Sequence, residues 1–333
     1  MGTFSGIDIS ARSFDLVIKN ENVIGKAQTF KQQPDDFERA AKILNKKNVI
    51  LVVMEATGIY HLDLAVYLTN AGIAVAVINP LSSKRFAQLK LSQIKTDAAD
   101  AALLAEYAEV MKPAPWTPPK PEYMALKDIG RQINRLTKDK VKAKNRLHAL
   151  QSKTSPAILI EDLEESITLY ERRIDRLSTA ALKLIQEDKE LALIFECMME
   201  AKGIGQSSAL AILAEFVVLP KDMKAKQVTR YSGLDIRVCQ SGSSVRGGSR
   251  ISKAGNAYLS TALYMPALSA SRHDDNARKF RERLISKGKT KMQANIAIMR
   301  KSLTGSWLVF CQSHAMKSEK LVNSDEKCLE HEK

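Results

Sequence analysis

Gly6-Ile7-Asp8-Ile9-Ser10 is the stretch on which the fold turns. It closes Phe4–Ile9, an apolar run with a strand's composition, yet it carries an aspartate inside that run. A carboxylate there is costly to bury unless it is paired or bound to metal. Working outward, Phe14–Ile18 reads as a second short strand and Asn22–Phe30 as a third, more polar one. Pro34-Asp35-Asp36 then opens an amphipathic helix, Phe37–Leu44, with proline and acids where a helix N-terminus favours them. Val49–Met54 is a continuous β-branched and apolar run typical of a buried strand. A helix over Leu62–Asn70, ended by Gly72, leads to another buried strand, Ala74–Ile78, which stops at Asn79-Pro80. Strands first, then strand and helix in alternation, predict a mixed α/β sheet.

Three further carboxylates fall where that sheet would place them beside Asp8. Glu55 follows directly on the Val49–Met54 strand, in Met54-Glu55-Ala56-Thr57-Gly58, and strand C-terminal ends are where α/β sheets place ligands. Asp97 and Asp100 lie in Lys95-Thr96-Asp97-Ala98-Ala99-Asp100-Ala101, at the start of a helical run, Ala98–Glu109. A spacing of three sets both on one helix face. Four converging carboxylates repel one another, and a hard divalent cation removes that penalty. Two such ions about 4 Å apart can activate a nucleophile and stabilise the leaving oxygen of a phosphodiester. Taken singly, Asp97 also suits a helix cap, Asp100 a helix-dipole partner and Glu55 an ordinary strand-end charge.

Pro113-Ala114-Pro115-Trp116-Thr117-Pro118-Pro119-Lys120-Pro121 stiffens the chain and marks a boundary. Beyond it Leu126, Ile129, Ile133, Leu136, Lys140, Ala143, Leu147 and Leu150 step by threes and fours. After a break at residues 152–156 the rhythm resumes through Leu163, Ile167, Tyr170, Ile174, Leu177, Ala181 and Leu184. The pattern predicts a helical hairpin with a coiled-coil seam, a spacer and oligomerisation arm.

The chain is basic, with 51 lysines and arginines against 37 acids and a net charge of +14. Nearly all of the excess lies between Lys221 and Lys301, where 18 basic residues face 5 acids. That balance points to a polyanion. No apolar run reaches the ~18 residues of a membrane span. The N-terminus lacks the basic start and apolar core of a signal peptide, which leads us to expect a cytoplasmic protein, nucleoid-associated when on DNA. Cys197, Cys239, Cys311 and Cys328 are scattered, and the five histidines stand at no zinc-ligand spacing to a cysteine pair, so reduced thiols and no structural zinc are expected.

Within the basic segment, Ala201-Lys202-Gly203-Ile204-Gly205-Gln206 reads as helix, tight turn, helix. Glycines there bare backbone N–H groups at a helix N-terminus, a seat for phosphate, although a plain helical turn has the same wording. Downstream come Tyr231-Ser232-Gly233-Leu234-Asp235, then Ser241-Gly242-Ser243-Ser244-Val245-Arg246-Gly247-Gly248-Ser249-Arg250, then Ile251-Ser252-Lys253-Ala254-Gly255-Asn256. A Gly/Ser loop studded with Arg246, Arg250 and Lys253 can wrap a phosphate. Its composition alone equally fits a solvated loop and singles out no serine.

Together Gly-Ile-Asp, Glu-Ala-Thr-Gly, Lys-Thr-Asp-Ala-x-Asp-Ala, Gly-Ile-Gly, Tyr-Ser-Gly-Leu, Ile-Ser-Lys-x-Gly-Asn and Leu263-Tyr264-Met265-Pro266-Ala267 resemble the signature of the insertion-sequence 110 family, the Piv-type DEDD transposases. The wording is nearest the insertion-sequence 1111 subgroup, and the match runs from about residue 4 to residue 310. The resemblance implies a RuvC-like, RNase H-like first domain over residues 1–115. A coiled-coil hairpin over 122–190, a mainly α-helical basic transposase domain over 191–310 and a tail over 311–333 complete the expected organisation. It implies a catalytic, metal-binding tetrad of Asp8, Glu55, Asp97 and Asp100 with Mg2+ or Mn2+, and a serine nucleophile that maps onto Ser241. Lys202, Gly203, Gly205, Arg246, Arg250 and Lys253 are the expected DNA-binding residues. It further implies DNA as substrate, a structured non-coding bridge RNA as partner, and a homo-oligomer, dimer or tetramer. Two positions depart from the family wording: Ile236, where a proline is common, and Ser260, where an arginine is common. A site-specific invertase would share every motif. A RuvC-like hydrolytic nuclease would need the tetrad but not Ser241, and a basic DNA-binding protein with an inactive α/β domain would leave the four carboxylates unexplained.

Overall fold

Strand β1, Thr3–Ile9, forms where the sequence alternates between two buried faces. Phe4, Gly6 and Asp8 point one way, Ser5, Ile7 and Ile9 the other. A computed structural model of the chain describes residues 2–21, 23–56, 58–91, 96–237, 240–241, 245–246 and 250–329. These fall into two units, Met1–Pro118 and Pro119–Lys333, divided within the proline-rich stretch.

In the first unit β1 pairs antiparallel with β2 (Ser13–Asn20), whose outer edge takes β3 (Val23–Ile24) and β4 (Gln28–Lys31). The expected third strand is therefore two short pieces. Helix α1 (Pro34–Lys46) leads to β5 (Val49–Glu55), and α2 (Leu62–Asn70) to β6 (Val75–Ile78). Both β5 and β6 join in parallel, giving the order β3–β2–β1–β5–β6. Three antiparallel strands followed by two parallel ones is the RNase H-like arrangement. Helix α3 (Pro80–Leu89), capped by the Asn79 side chain, has no counterpart in the sequence expectations; α4 spans Asp97–Met111.

The two faces of the sheet are covered differently. Ile7, Leu16, Val52 and Met54 pack with Phe37, Leu44, Leu64 and Leu68 of α1 and α2. Phe4, Leu51, Val53 and Ala76 pack with Phe86 of α3 and Leu104, Tyr107 and Ala108 of α4. Helix α4 comes closest where residues are smallest. A β-carbon on Gly6 would meet the backbone of Ala101, Leu104 and Ala105, so the strand and helix touch main chain to main chain.

The second unit begins with two 31-residue helices, α5 (Pro121–Gln151) and α6 (Ala157–Glu187). They run antiparallel: the Tyr123 hydroxyl donates to Asp188 at 3.0 Å near one end, and Lys144 meets Glu171 at 3.1 Å nearer the other. The seam residues Leu126, Leu136, Ala143, Ile167 and Ala181 are buried, as the three–four rhythm predicts. Next come α7 (Lys189–Met199), α8 (Gln206–Phe216) and α9 (Ala225–Tyr231). Four two-residue strands follow, β7 (Ile236–Arg237), β8 (Gln240–Ser241), β9 (Val245–Arg246) and β10 (Arg250–Ile251). Helices α10 (Ala257–His273), α11 (Asp275–Ser286) and α12 (Lys291–Leu329) complete it. One core joins Leu126, Ala181 and Ile185 of the hairpin to Leu213, Phe216, Leu263, Trp307 and Phe310. Among the described residues no helix is long and apolar enough to cross a membrane.

Candidate active site

The register of the sheet gathers the predicted carboxylates at one end of the first unit. Gly6 pairs with Val53 and Ile7 with Met54, so the next step along the parallel ladder sets Asp8 beside Glu55. Both point to the face that α4 covers. Thr96 caps α4 through its hydroxyl, which accepts from the Ala99 N–H at 3.2 Å, making Asp97 the first helical residue and Asp100 the fourth. Asp97 is therefore not the cap itself. Gly6 lets α4 sit directly on β1, and this seats the helix start near Asp8.

Electrostatics register that gathering. Burial, then the charges of Asp100 and Asp97, with a smaller push from Glu55, hold the Asp8 carboxyl up at about 6; an N–H from Ile9 opposes them. All three of the other predicted carboxylates thus act on Asp8. Among the described residues no three histidine, cysteine, aspartate or glutamate side chains form a group that could hold a metal ion. The donor types alone, all carboxylate oxygens that repel one another, are those a hard divalent cation takes. Asp15 was missed from the sequence. It lies directly opposite Asp8 across the β1–β2 pair and accepts a hydrogen bond from the Thr29 hydroxyl. Its signal was the alternation of Phe14–Ile18, which puts position 15 on the Asp8 face.

In the second unit Ser241 lies on a nested ribbon. Strands β7 and β10 pair antiparallel, and inside them β8 and β9 pair with Ser241 opposite Val245. The side chains of Ser241 and Arg246, and all of Gly242, Ser243, Ser244, Gly247, Gly248 and Ser249, lie outside the described residues. At the base Arg237 stands directly opposite Arg250, and both are exposed. Like charges so placed are destabilising unless an anion lies between them. Sequence reasoning passed over Arg237 because it stands outside the Gly/Ser loop.

The ribbon grows from a rigid platform. The Ser252 N–H donates to the Asp235 carbonyl and the Lys253 N–H to that of Gly233, while Lys253 adopts a left-handed φ of 51°. A β-carbon on Gly255 would stand 2.4 Å from the Tyr231 carbonyl, so Tyr-Ser-Gly-Leu and Ile-Ser-Lys-Ala-Gly-Asn interlock. Beneath them Glu215, 2% exposed, accepts two hydrogen bonds from Arg131 of α5, at 2.7 and 2.9 Å, and one from the Asn256 amide. Asn256 also caps α10.

Gly-Ile-Gly serves packing as well. Gly203, at φ 99°, has room for no β-carbon, which would stand 2.6 Å from the Pro266 carbonyl of α10. A β-carbon on Gly205, the cap residue of α8, would meet nothing, and Gly205 and nearby Lys202 are exposed. That leaves the helix N-terminus accessible to an anion.

Residues 5–156 match the family model of the DEDD, IS110-type transposases, described as transposase. Residues 196–282 match that of the transposase IS116/IS110/IS902 family. The pilin gene-inverting protein of Moraxella lacunata is 30% identical over 316 residues, 93% of this chain and 96% of its own. That of Moraxella bovis is 30% identical over 318 residues with the same coverage. The chain belongs to the IS110 family of transposases and recombinases. A solved structure, T. thermophilus RuvC in complex with Holliday junction substrate, is similar at 16% identity, covering 34% of this chain and 99% of that one, with a TM-score of 0.26. The RNase H-like assignment rests on the strand order and the family instead.

As an IS110-family member the protein is a DNA recombinase. Of its departures from the family wording, Ile236 is an exposed residue of β7 at the base of the ribbon, and Ser260 lies in the first turn of α10.

Proposed function

We propose that this recombinase cuts and rejoins DNA with two sets of groups, the tetrad Asp8, Glu55, Asp97 and Asp100 and the nucleophile Ser241. The observation that carries the tetrad is the combined push of three carboxylates on Asp8. Magnesium or manganese bound to these oxygens would neutralise phosphate charge and polarise the scissile phosphodiester. The Ser241 hydroxyl gives up its proton, its oxygen bonds to phosphorus, and the sugar oxygen departs and takes up a proton. One phosphodiester is exchanged for another, so the reverse attack by a new sugar hydroxyl reseals DNA with no outside energy source. Arg237, Arg246, Arg250 and Lys253 neutralise the phosphate beside the ribbon.

The assignment of Ser241 is supported by family wording and by its seat on a ribbon anchored to a buried polar network. The hairpin α5–α6, with its apolar seam, is read as a coiled-coil arm for assembly into a dimer or tetramer. A structured bridge RNA joins DNA as partner on the strength of the insertion-sequence 110 resemblance, with the insertion-sequence 1111 subgroup nearest. Because the relatives are named for gene inversion, inversion stands beside transposition as the outcome.

The deciding experiment is the covalent protein–DNA adduct on the element's end sequences. Wild type is expected to form it; Ser241→Ala is expected to bind the DNA without forming it. An adduct persisting in Ser241→Ala but lost in Ser243→Ala or Ser244→Ala reassigns the nucleophile. Normal recombination by all three variants moves the hydrolytic, RuvC-like reading ahead.

A further inference from the structure

The second unit carries a concave basic cleft that neither the tetrad nor the serine ribbon explains. Lys226 and Arg230 of α9 form one wall, Arg300 and Lys301 of α12 the other, and Phe280 of α11 lies between them, enclosing about 600 Å3. A smaller hollow of about 280 Å3 shares Phe280 and Lys301 and adds Lys279 and Arg283. Among the described residues, the ion pair recorded in this region is Arg278 with Asp275, which uses none of these six cations.

Two of them are steadied by an aromatic ring. The Lys301 ammonium sits 4.3 Å from the centre of the Phe280 ring and the Arg283 guanidinium 5.4 Å. A ring face holds a cation without cancelling its charge. Two contiguous hollows lined by six cations, against the one carboxylate of Asp235, exceed what one small anion needs and suit a run of phosphates.

Position identifies which polyanion. Asp235, the residue before β7, also lines the cleft, and its carbonyl accepts the Ser252 N–H at the base of the serine ribbon. A strand lying in the cleft leads onto that ribbon. We propose that the cleft between α9, α11 and α12 is a DNA-backbone clamp, in which Lys226, Arg230, Arg300 and Lys301 neutralise phosphates of the strand that leads to Ser241. The choice of DNA rests on the reading of Ser241 given above.

The test is a salt series of full-length protein binding to duplex DNA carrying the element's ends. Each phosphate contact removed lowers the slope of log affinity against log salt by about 1. Arg230→Ala/Lys301→Ala is expected to lower it by about 2, with its melting midpoint unchanged. Lys142→Ala/Lys183→Ala, an equal loss of charge on the hairpin, is expected to leave the slope alone. Should the first pair melt early, Lys226→Gln/Arg230→Gln, both at exposed positions, must show the same fall. An unmoved slope, or an equal fall in the hairpin control, overturns the clamp. So does a variant that loses affinity for a structured RNA of matched length while keeping its DNA slope. If the slope falls but wild type forms no adduct, the clamp stands and the serine reading fails; an adduct with an unmoved slope means the reverse.

Discussion

A β-carbon placed on Gly6 would stand 2.1 Å from the Ala101 carbonyl oxygen and 2.3 Å from the Ala105 amide nitrogen. Backbone cannot yield as a flexible side chain does, so α4 must lift off β1 to admit it. Gly6→Ala is expected to cost at least about 1–3 kcal/mol, with each kcal/mol lowering the melting midpoint by about 2–4 °C. Gly305→Ala is the control. Position 305 is mid-helix with open space around it, where alanine adds about 0.4–1 kcal/mol. An unchanged midpoint in Gly6→Ala would mean that α4 is not seated as described.

Asp8 ties activity to a stability cost. Its folded pKa of about 6 lies above the ordinary 3.8, so between those values the folded chain holds more protons than the unfolded one. Stability is therefore lost as pH rises through that window and stays lower above it. In EDTA, Asp8→Asn is expected to melt higher than wild type at pH 7, with the gain shrinking toward pH 4. The same variant is expected to abolish strand exchange with magnesium. A gain that does not vary with pH would show that Asp8 is not under the strain described.

Much of the first unit was legible because two periodicities are strong there. The Val49–Met54 and Leu62–Asn70 runs appear in β5 and α2 within a residue. Helix α3 was not, since Pro80–Leu89 buries only Ser83 and Phe86 and offers little apolar stripe to read. Of the site, the carboxylate types and order were legible. Asp15 carried a signal in the alternation of Phe14–Ile18, but only the β1–β2 pairing sets it opposite Asp8. Arg237 meets Arg250 only through a register that closes across the Gly/Ser loop. The Gly203 contact with Pro266 depends on a helix sixty residues away.

Fragment behaviour follows from the shared core. A piece starting at Leu191 lacks Leu126, Ala181 and Ile185, which pack with Leu213 and Phe216. It is expected to aggregate or remain molten. A fragment over residues 119–333 is expected to fold and bind duplex DNA with steep salt dependence, whereas residues 1–118 bind far more weakly, their basic and acidic residues being nearly balanced. Circular dichroism and a salt titration decide; equal affinity of the two fragments would remove the division of labour.

Arg131, half-buried, and Glu215, fully buried, form a pair whose halves depend on each other. Either Arg131→Met or Glu215→Leu alone is expected to destabilise by about 3–5 kcal/mol, while the double Arg131→Met/Glu215→Leu recovers much of the loss. Denaturant titration of the three variants gives the coupling directly. Strictly additive losses would show that the pair contributes no mutual stabilisation.

That same knot limits how the chain can be reshuffled. A recombinase assembled from relatives, taking its long hairpin from one parent and its serine-bearing ribbon from another, joins position 131 of the first to positions 215 and 256 of the second. Crossovers that split these three are expected to destabilise the hybrid wherever the second parent carries other residues at 131, 215 or 256. Exchanges made within Pro113–Pro121 leave the knot whole. The hairpin base and the ribbon base therefore have to be exchanged as one piece unless both parents carry the same three residues.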